Sequence, residues 1–127
     1  MGSRHAARVA AVETLYAADV RGISPSDLTE NLPDYTVRLV HAVEARRAEI
    51  DELLTAHATG WRPDRMSPVD RNVLRVAVLE LLEGDVPPAA AIDEAVEIAK
   101  NLSGEEAGRF VNGVLGGVLQ AIVGAAG

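Results

Sequence analysis

An all-α fold is the expectation, and three observations lead to it. Apolar residues recur at spacings of three and four over most of the 127 positions, and no stretch alternates apolar with polar residues. Cap sequences led by serine or proline divide the chain into segments of helical length. One segment, Ser67 to Leu82, is apolar around most of its circumference, which suits a rod buried on all sides. The predicted architecture is a compact single-domain bundle of six or seven helices, residues 1–127, around that central buried helix. Only 3% of the residues are aromatic although 48% are apolar, so the core has to be built from Leu, Val, Ile and Ala.

Residues 4–20 read as an alanine-rich helix whose inner face is shared by Ala11, Val12, Leu15 and Tyr16. Arg4, His5 and Arg8 crowd its leading end, where a cation opposes the helix dipole by about 0.3–1 kcal/mol at low salt. Helix stability does not account for them; they are either frayed-end residues or residues that face phosphate. Arg21-Gly22-Ile23 ends this helix, and Ser24-Pro25-Ser26-Asp27 opens a short one to about Asn31. Pro33-Asp34 starts a longer element with Val37, Val40, Val43, Ile50, Leu53, Leu54 and His57 in phase. Arg46 and Arg47 interrupt that phase, leaving one bent helix or two short ones. Gly60 closes it, and Trp61-Arg62-Pro63 crosses to the rod.

The rod begins with Ser67 to cap free amides, Pro68 where no donor is missed, and Asp70 in the first turn. Its apolar run is too short to cross a membrane, and Gly84 with Asp85-Val86-Pro87-Pro88 stops it. Pro88 to Leu102 is amphipathic, with Ile92, Ala95, Val96, Ala99 and Leu102 inward and Asp93, Glu94 and Glu97 outward. After Gly104, a capping box from Ser103 to Glu106 introduces a last helix. Its stripe is Ala107, Phe110, Val111, Val114, Leu115, Val118, Leu119 and Ile122. Gly113, Gly116 and Gly117 each cost about 0.5–1 kcal/mol relative to alanine in a helix interior, so another backbone is expected close by.

The formal net charge of −7 argues against binding nucleic acid by bulk electrostatics. Its distribution is uneven: residues 1–75 hold ten arginines against eleven acids, while residues 76–127 hold only Lys100 and Arg109 against eight. A polyanion should meet the front of the chain and a basic protein the back, unless the bias is only solvated charge. The absence of cysteine excludes disulfides and thiolate zinc sites and, with no secretory signal visible, fits a reducing cytoplasm. Catalytic apparatus is not visible either. There is no glycine-rich phosphate loop and no nucleophile elbow. His5, His41 and His57 are isolated along the chain, so no metal site is expected. The pattern suits a binding protein rather than an enzyme, with no cofactor.

Four stretches, in order, carry a family resemblance. They are Ala7-Arg8 through Leu15-Tyr16; Val69-Asp70-Arg71-Asn72-Val73-Leu74-Arg75 running to Glu80-Leu81; Val86-Pro87 followed by Ile92 through Lys100; and Phe110-Val111-Asn112-Gly113-Val114-Leu115. Together they resemble the NusB family of bacterial transcription antitermination factors. The resemblance implies a helical RNA-binding protein that pairs with NusE, which is also a small-subunit ribosomal protein. The pair is expected to bind the boxA element of nascent ribosomal transcripts and to support read-through within the RNA polymerase antitermination complex. The same fold also precedes the catalytic domain of ribosomal RNA cytosine methyltransferases, a version not expected here because the chain stops where that domain would begin.

Carried over by position, the implied RNA surface includes Arg4, His5, Arg8, Tyr16, Asp70, Arg71, Arg75, Phe110 and Asn112. Arginines at a helix front suit phosphate contacts, which position RNA without reading its sequence. Tyr16 either stacks on a base or is a core residue with a solvent-reaching hydroxyl. Arg71 and Arg75, four apart on one face, either address RNA or pair with acids of neighbouring helices. Phe110 lies on the apolar stripe and reads as core; Asn112 falls off it and either bonds another helix or touches a ligand. The family often carries a denser arginine cluster at its start, and Ala89, Ala90 and Ala91 stand where some relatives have a lysine. Fewer cations imply weaker, less salt-sensitive binding that improves when NusE adds basic surface. The competing reading is a helical protein-binding module without RNA binding, as monomer or homodimer, with no membrane involved in either case.

Overall fold

A computed structural model describes residues 3–58, 62 and 66–126. Among the described residues are six α-helices, one 3-10 turn and no strand. The helices are α1 (Arg4–Arg21), α2 (Asp34–Ala45), α3 (Arg47–His57), α4 (Pro68–Glu83), α5 (Pro88–Ser103) and α6 (Glu105–Ala126), with the turn at Pro25–Leu28 between α1 and α2. The expected short helix to Asn31 is thus only that turn. Gly60, Trp61 and Pro63 lie outside the described residues.

α4 is the axis. Every residue from Asn72 to Leu81 is buried, and α4 packs against α1, α2, α3, α5 and α6. Leu39 of α2, Ile50 and Leu54 of α3, Ile98 of α5 and Leu115 of α6 join Leu74 and Leu79 of α4 in one buried core. The core is aliphatic throughout, as the scarcity of aromatic residues requires.

The helix ends are fixed by different devices. Ser3 caps α1, its Oγ accepting from the Ala6 amide at 3.0 Å. Ser67 makes no such bond; the start of α4 rests on Pro68 with its φ already helical. Gly22 and Gly84 end α1 and α4 at φ of 68° and 73°, a left-handed conformation that a β-carbon disfavours. Ser103 is the last residue of α5, so it does not cap α6. The break at Arg46 gives two helices rather than one bent one, and Arg46 closes α2 by donating its amide to Ala42.

The periodicity assigned several faces wrongly. His57 and Leu102, placed inward, are exposed, and Ile98 is buried in α5 instead. Phe110 is 37% exposed rather than core, because α6 buries Val111, Val114, Leu115 and Val118 and leaves Phe110 at the edge of that stripe. A β-carbon at Gly113 or Gly116 would meet nothing within 4 Å. Of the three glycines, Gly117 does have a backbone beside it, since a β-carbon there would lie 3.5 Å from the His57 carbonyl oxygen; one at Gly108 would run into the Lys100 side chain. By length and composition alone α6 could cross a membrane over Glu105–Ala125, but its buried stripe packs on α3, α4 and α5.

Candidate nucleic-acid interface

The leading end of α1 meets α2, α4 and α5 through charged side chains. Arg4 is exposed, and its guanidinium lies 4.1 Å above the ring of Tyr35 in α2. That is cation–π distance, which holds the arginine in place without neutralising it. Arg8, one turn on along the same side of α1, lies 5.8 Å from that ring but is only 6% exposed. Its Nε and Nη2 donate to Glu80 at 2.8 and 3.1 Å, and its Nη1 donates to Glu94 at 2.7 Å. Glu80, 2% exposed in α4, also accepts from the Tyr35 hydroxyl at 2.5 Å. Burial opposes the charge on Arg8, yet its bonds to Glu80 and the charges of Glu80 and Glu94 outweigh that and raise its pKa. Burial and the Glu80 carboxylate raise the Tyr35 phenol in turn. Arg8 is therefore a structural cation, and its place in the expected phosphate surface is corrected.

The second charged cluster ties α1 and α3 to the rod. Arg75 is 2% exposed and forks onto Asp51, with Nε and Nη2 donating at 2.9 and 3.0 Å. Its Nη1 also reaches Asp19 and the Asn72 side-chain oxygen, each at 3.3 Å. Arg71 donates to Asp19 at 2.8 Å and to the Met66 carbonyl at 3.2 Å. Burial alone would raise the Asp19 carboxyl, but hydrogen bonds from Arg71 and Asn72 and the charges of Arg71 and Arg75 hold it below its ordinary value. Of the two readings offered for Arg71 and Arg75, ion pairing is the one realised, and buried Arg75 cannot reach RNA. Asp70 is half-buried, and its Oδ1 has no hydrogen-bond partner among the described residues.

Four implied residues do offer surface besides Arg4. Tyr16 is 40% exposed and is not a core residue. His5 is half-buried, eleven residues before Tyr16, so the two sit on one side of α1 about 16 Å apart. Phe110 and Asn112 are exposed on α6, and Phe110 borders a hollow of ≈ 330 Å³ with His57, Arg109, Gly113 and Val114. Sequence reasoning missed Tyr35 and Arg38, whose guanidinium lies 5.0 Å from the same ring while bonding Glu83 at 3.0 and 3.2 Å. Their spacing of three on one helix was a local signal; their meeting with Arg4 is purely tertiary.

Residues 5–120 match the NusB family. The chain belongs to that family. It is 53% identical to the transcription antitermination protein NusB of Saccharopolyspora erythraea, over 91% of this chain and 86% of that one. It is 48% identical to the NusB of Thermobifida fusca, over 94% and 90%. Among solved structures it resembles T. maritima NusB with a TM-score of 0.84 at 33% identity, covering 94% of this chain and 92% of that one. It also resembles a chain in the crystal structure of antitermination factors NusB and NusE in complex with dsRNA, with a TM-score of 0.82 at 32% identity over 93% and 96%. This NusB-family chain is thus a transcription antitermination factor and not an enzyme.

Proposed function

We propose that this chain acts in the cytoplasm as a single helical domain that binds boxA RNA of nascent ribosomal transcripts together with NusE. In that role it supports read-through by RNA polymerase in an antitermination complex. The observation that carries the proposal is the match, over nearly all of both chains, to a protein whose crystal structure holds NusE and RNA. The surface left by the fold suits it. Arg4 and the N-terminal amides of α1 offer phosphate contacts, and Tyr16 and Phe110 offer ring faces to unstacked bases. With Arg8 turned inward, that surface holds fewer free cations than the sequence suggests, so RNA affinity alone is low and NusE supplies the missing positive charge.

Fluorescence anisotropy of labelled boxA RNA, titrated with and without NusE, tests this. The expected result is markedly tighter binding with NusE, and an Arg4→Glu variant that folds normally but binds weakly. Equal affinities with and without NusE would overturn the cooperative part of the proposal. Indifference to Arg4→Glu would favour the protein-binding reading.

A further inference from the structure

The fold brings together three side chains that sequence spacing kept apart. His5 lies in the first turn of α1, while Glu94 and Glu97 are three residues apart on α5 and so share one side of that helix. His5 Nδ1 is 3.1 Å from Glu94 Oε2, and one ligating atom from each of His5, Glu94 and Glu97 can be chosen so that no two are more than 4.8 Å apart. We propose that His5, Glu94 and Glu97 form a binding site for a divalent transition metal of the zinc type at the α1–α5 junction. It rests on helix packing alone and is independent of RNA binding.

Three features favour a metal ion over a simple ion pair. The first is the donor set. One imidazole and two carboxylates give the three ligands of an open zinc site, and the imidazole favours zinc over magnesium and calcium, which prefer oxygen alone. The second is charge. Arg8 is matched by the fully buried Glu80, so Glu94 and Glu97 carry two negative charges for a divalent cation to balance. The third is orientation: Arg8 Nη1 holds Glu94 by Oε1 at 2.7 Å and leaves Oε2 turned toward His5. A metal ligand steered by an outer hydrogen bond of this kind loses less freedom on binding.

The geometry needs little adjustment. Donors about 2.0–2.1 Å from a tetrahedral zinc lie about 3.3 Å from one another. The His5–Glu94 pair is already near that spacing, and Glu97, exposed and free to change rotamer, has at most about 1.5 Å to close. One coordination position then remains for water, and the ion fastens the leading end of α1 to α5.

Isothermal titration of the untagged chain with zinc chloride, in a buffer that does not chelate, provides the test. One zinc per chain is expected, unaffected by excess magnesium. His5→Ala and Glu97→Gln, neither of which touches the Arg8–Glu94 bond, should each weaken binding at least ~10-fold, while His57→Ala should not. Zinc should also raise the melting temperature of the parent chain but not of His5→Ala. The proposal is overturned by absence of one-to-one binding, by His5→Ala and Glu97→Gln binding as the parent does, or by an equal loss in His57→Ala.

Discussion

Replacing Arg75 with methionine separates a structural role from a recognition role, and its effect can be worked from the geometry. Breaking a buried ion pair by removing one partner costs about 3–5 kcal/mol, because the other charge stays buried without compensation. Here the low end applies. Asp19 keeps Arg71 at 2.8 Å and the Asn72 amide at 2.8 Å, and Asp51 is partly open to water with Arg47 at 3.8 Å. The expected loss is about 3 kcal/mol, or roughly 12 °C in melting temperature for a chain of this size. Arg75→Lys keeps the charge but not the fork onto both Asp51 oxygens, and should lose about 1.5 kcal/mol. Adding Asp51→Asn to Arg75→Met should recover part of the loss, since the stranded charge is then gone. Urea unfolding followed by circular dichroism measures all three. A loss below about 1 kcal/mol in Arg75→Met, together with a tenfold drop in boxA affinity, would mean that the guanidinium faces RNA and that the network is incidental.

Tyr16→Ala should leave the unfolding free energy within about 0.5 kcal/mol, because the ring is largely exposed, while boxA affinity falls about 5- to 100-fold if a base stacks there. Unchanged RNA binding would remove Tyr16 from the interface. Gly113→Ala and Gly116→Ala should each stabilise the chain by about 0.5–1 kcal/mol in thermal melts, since a β-carbon meets nothing at either site. Gly108→Ala should gain less, because its β-carbon collides with Lys100. Asp19 has a folded-state pKa below its ordinary 3.8, so its contribution to stability is complete above that value and lost as pH falls through the lower one. Acid unfolding curves should show this slope below pH 3.8, and Asp19→Asn should flatten it.

The helical order and the central rod were legible because both depend on local pattern: the spacing of apolar residues and the prolines and glycines between segments. What could not be read was the direction in which a polar side chain points once helices pack. Arg8 is an ordinary surface arginine by sequence, and only the arrival of Glu80, 72 residues later, draws it inward. Glu94 looked solvated for the same reason, and His5 looked solitary until α5 lay beside it. Phe110 and Leu102 were misplaced by a subtler effect. Both continue an apolar period, but α5 and α6 bury the narrower stripes centred on Ala95–Ile98 and Val111–Val118. The small residues of α6 suggested a neighbouring backbone, and one lies beside Gly117 but not beside Gly113 or Gly116.

Arg8 also bears on how genetics of such a protein is to be interpreted. A screen that scores only failure of terminator read-through would count its substitutions among the strongest hits and assign them to transcript recognition. The guanidinium is a pillar between three helices, so those hits would track protein abundance in the cell instead. Separating the pillars from the contacts requires scoring each allele for solubility alongside phenotype, and neighbouring Arg4, open to solvent, supplies the internal control.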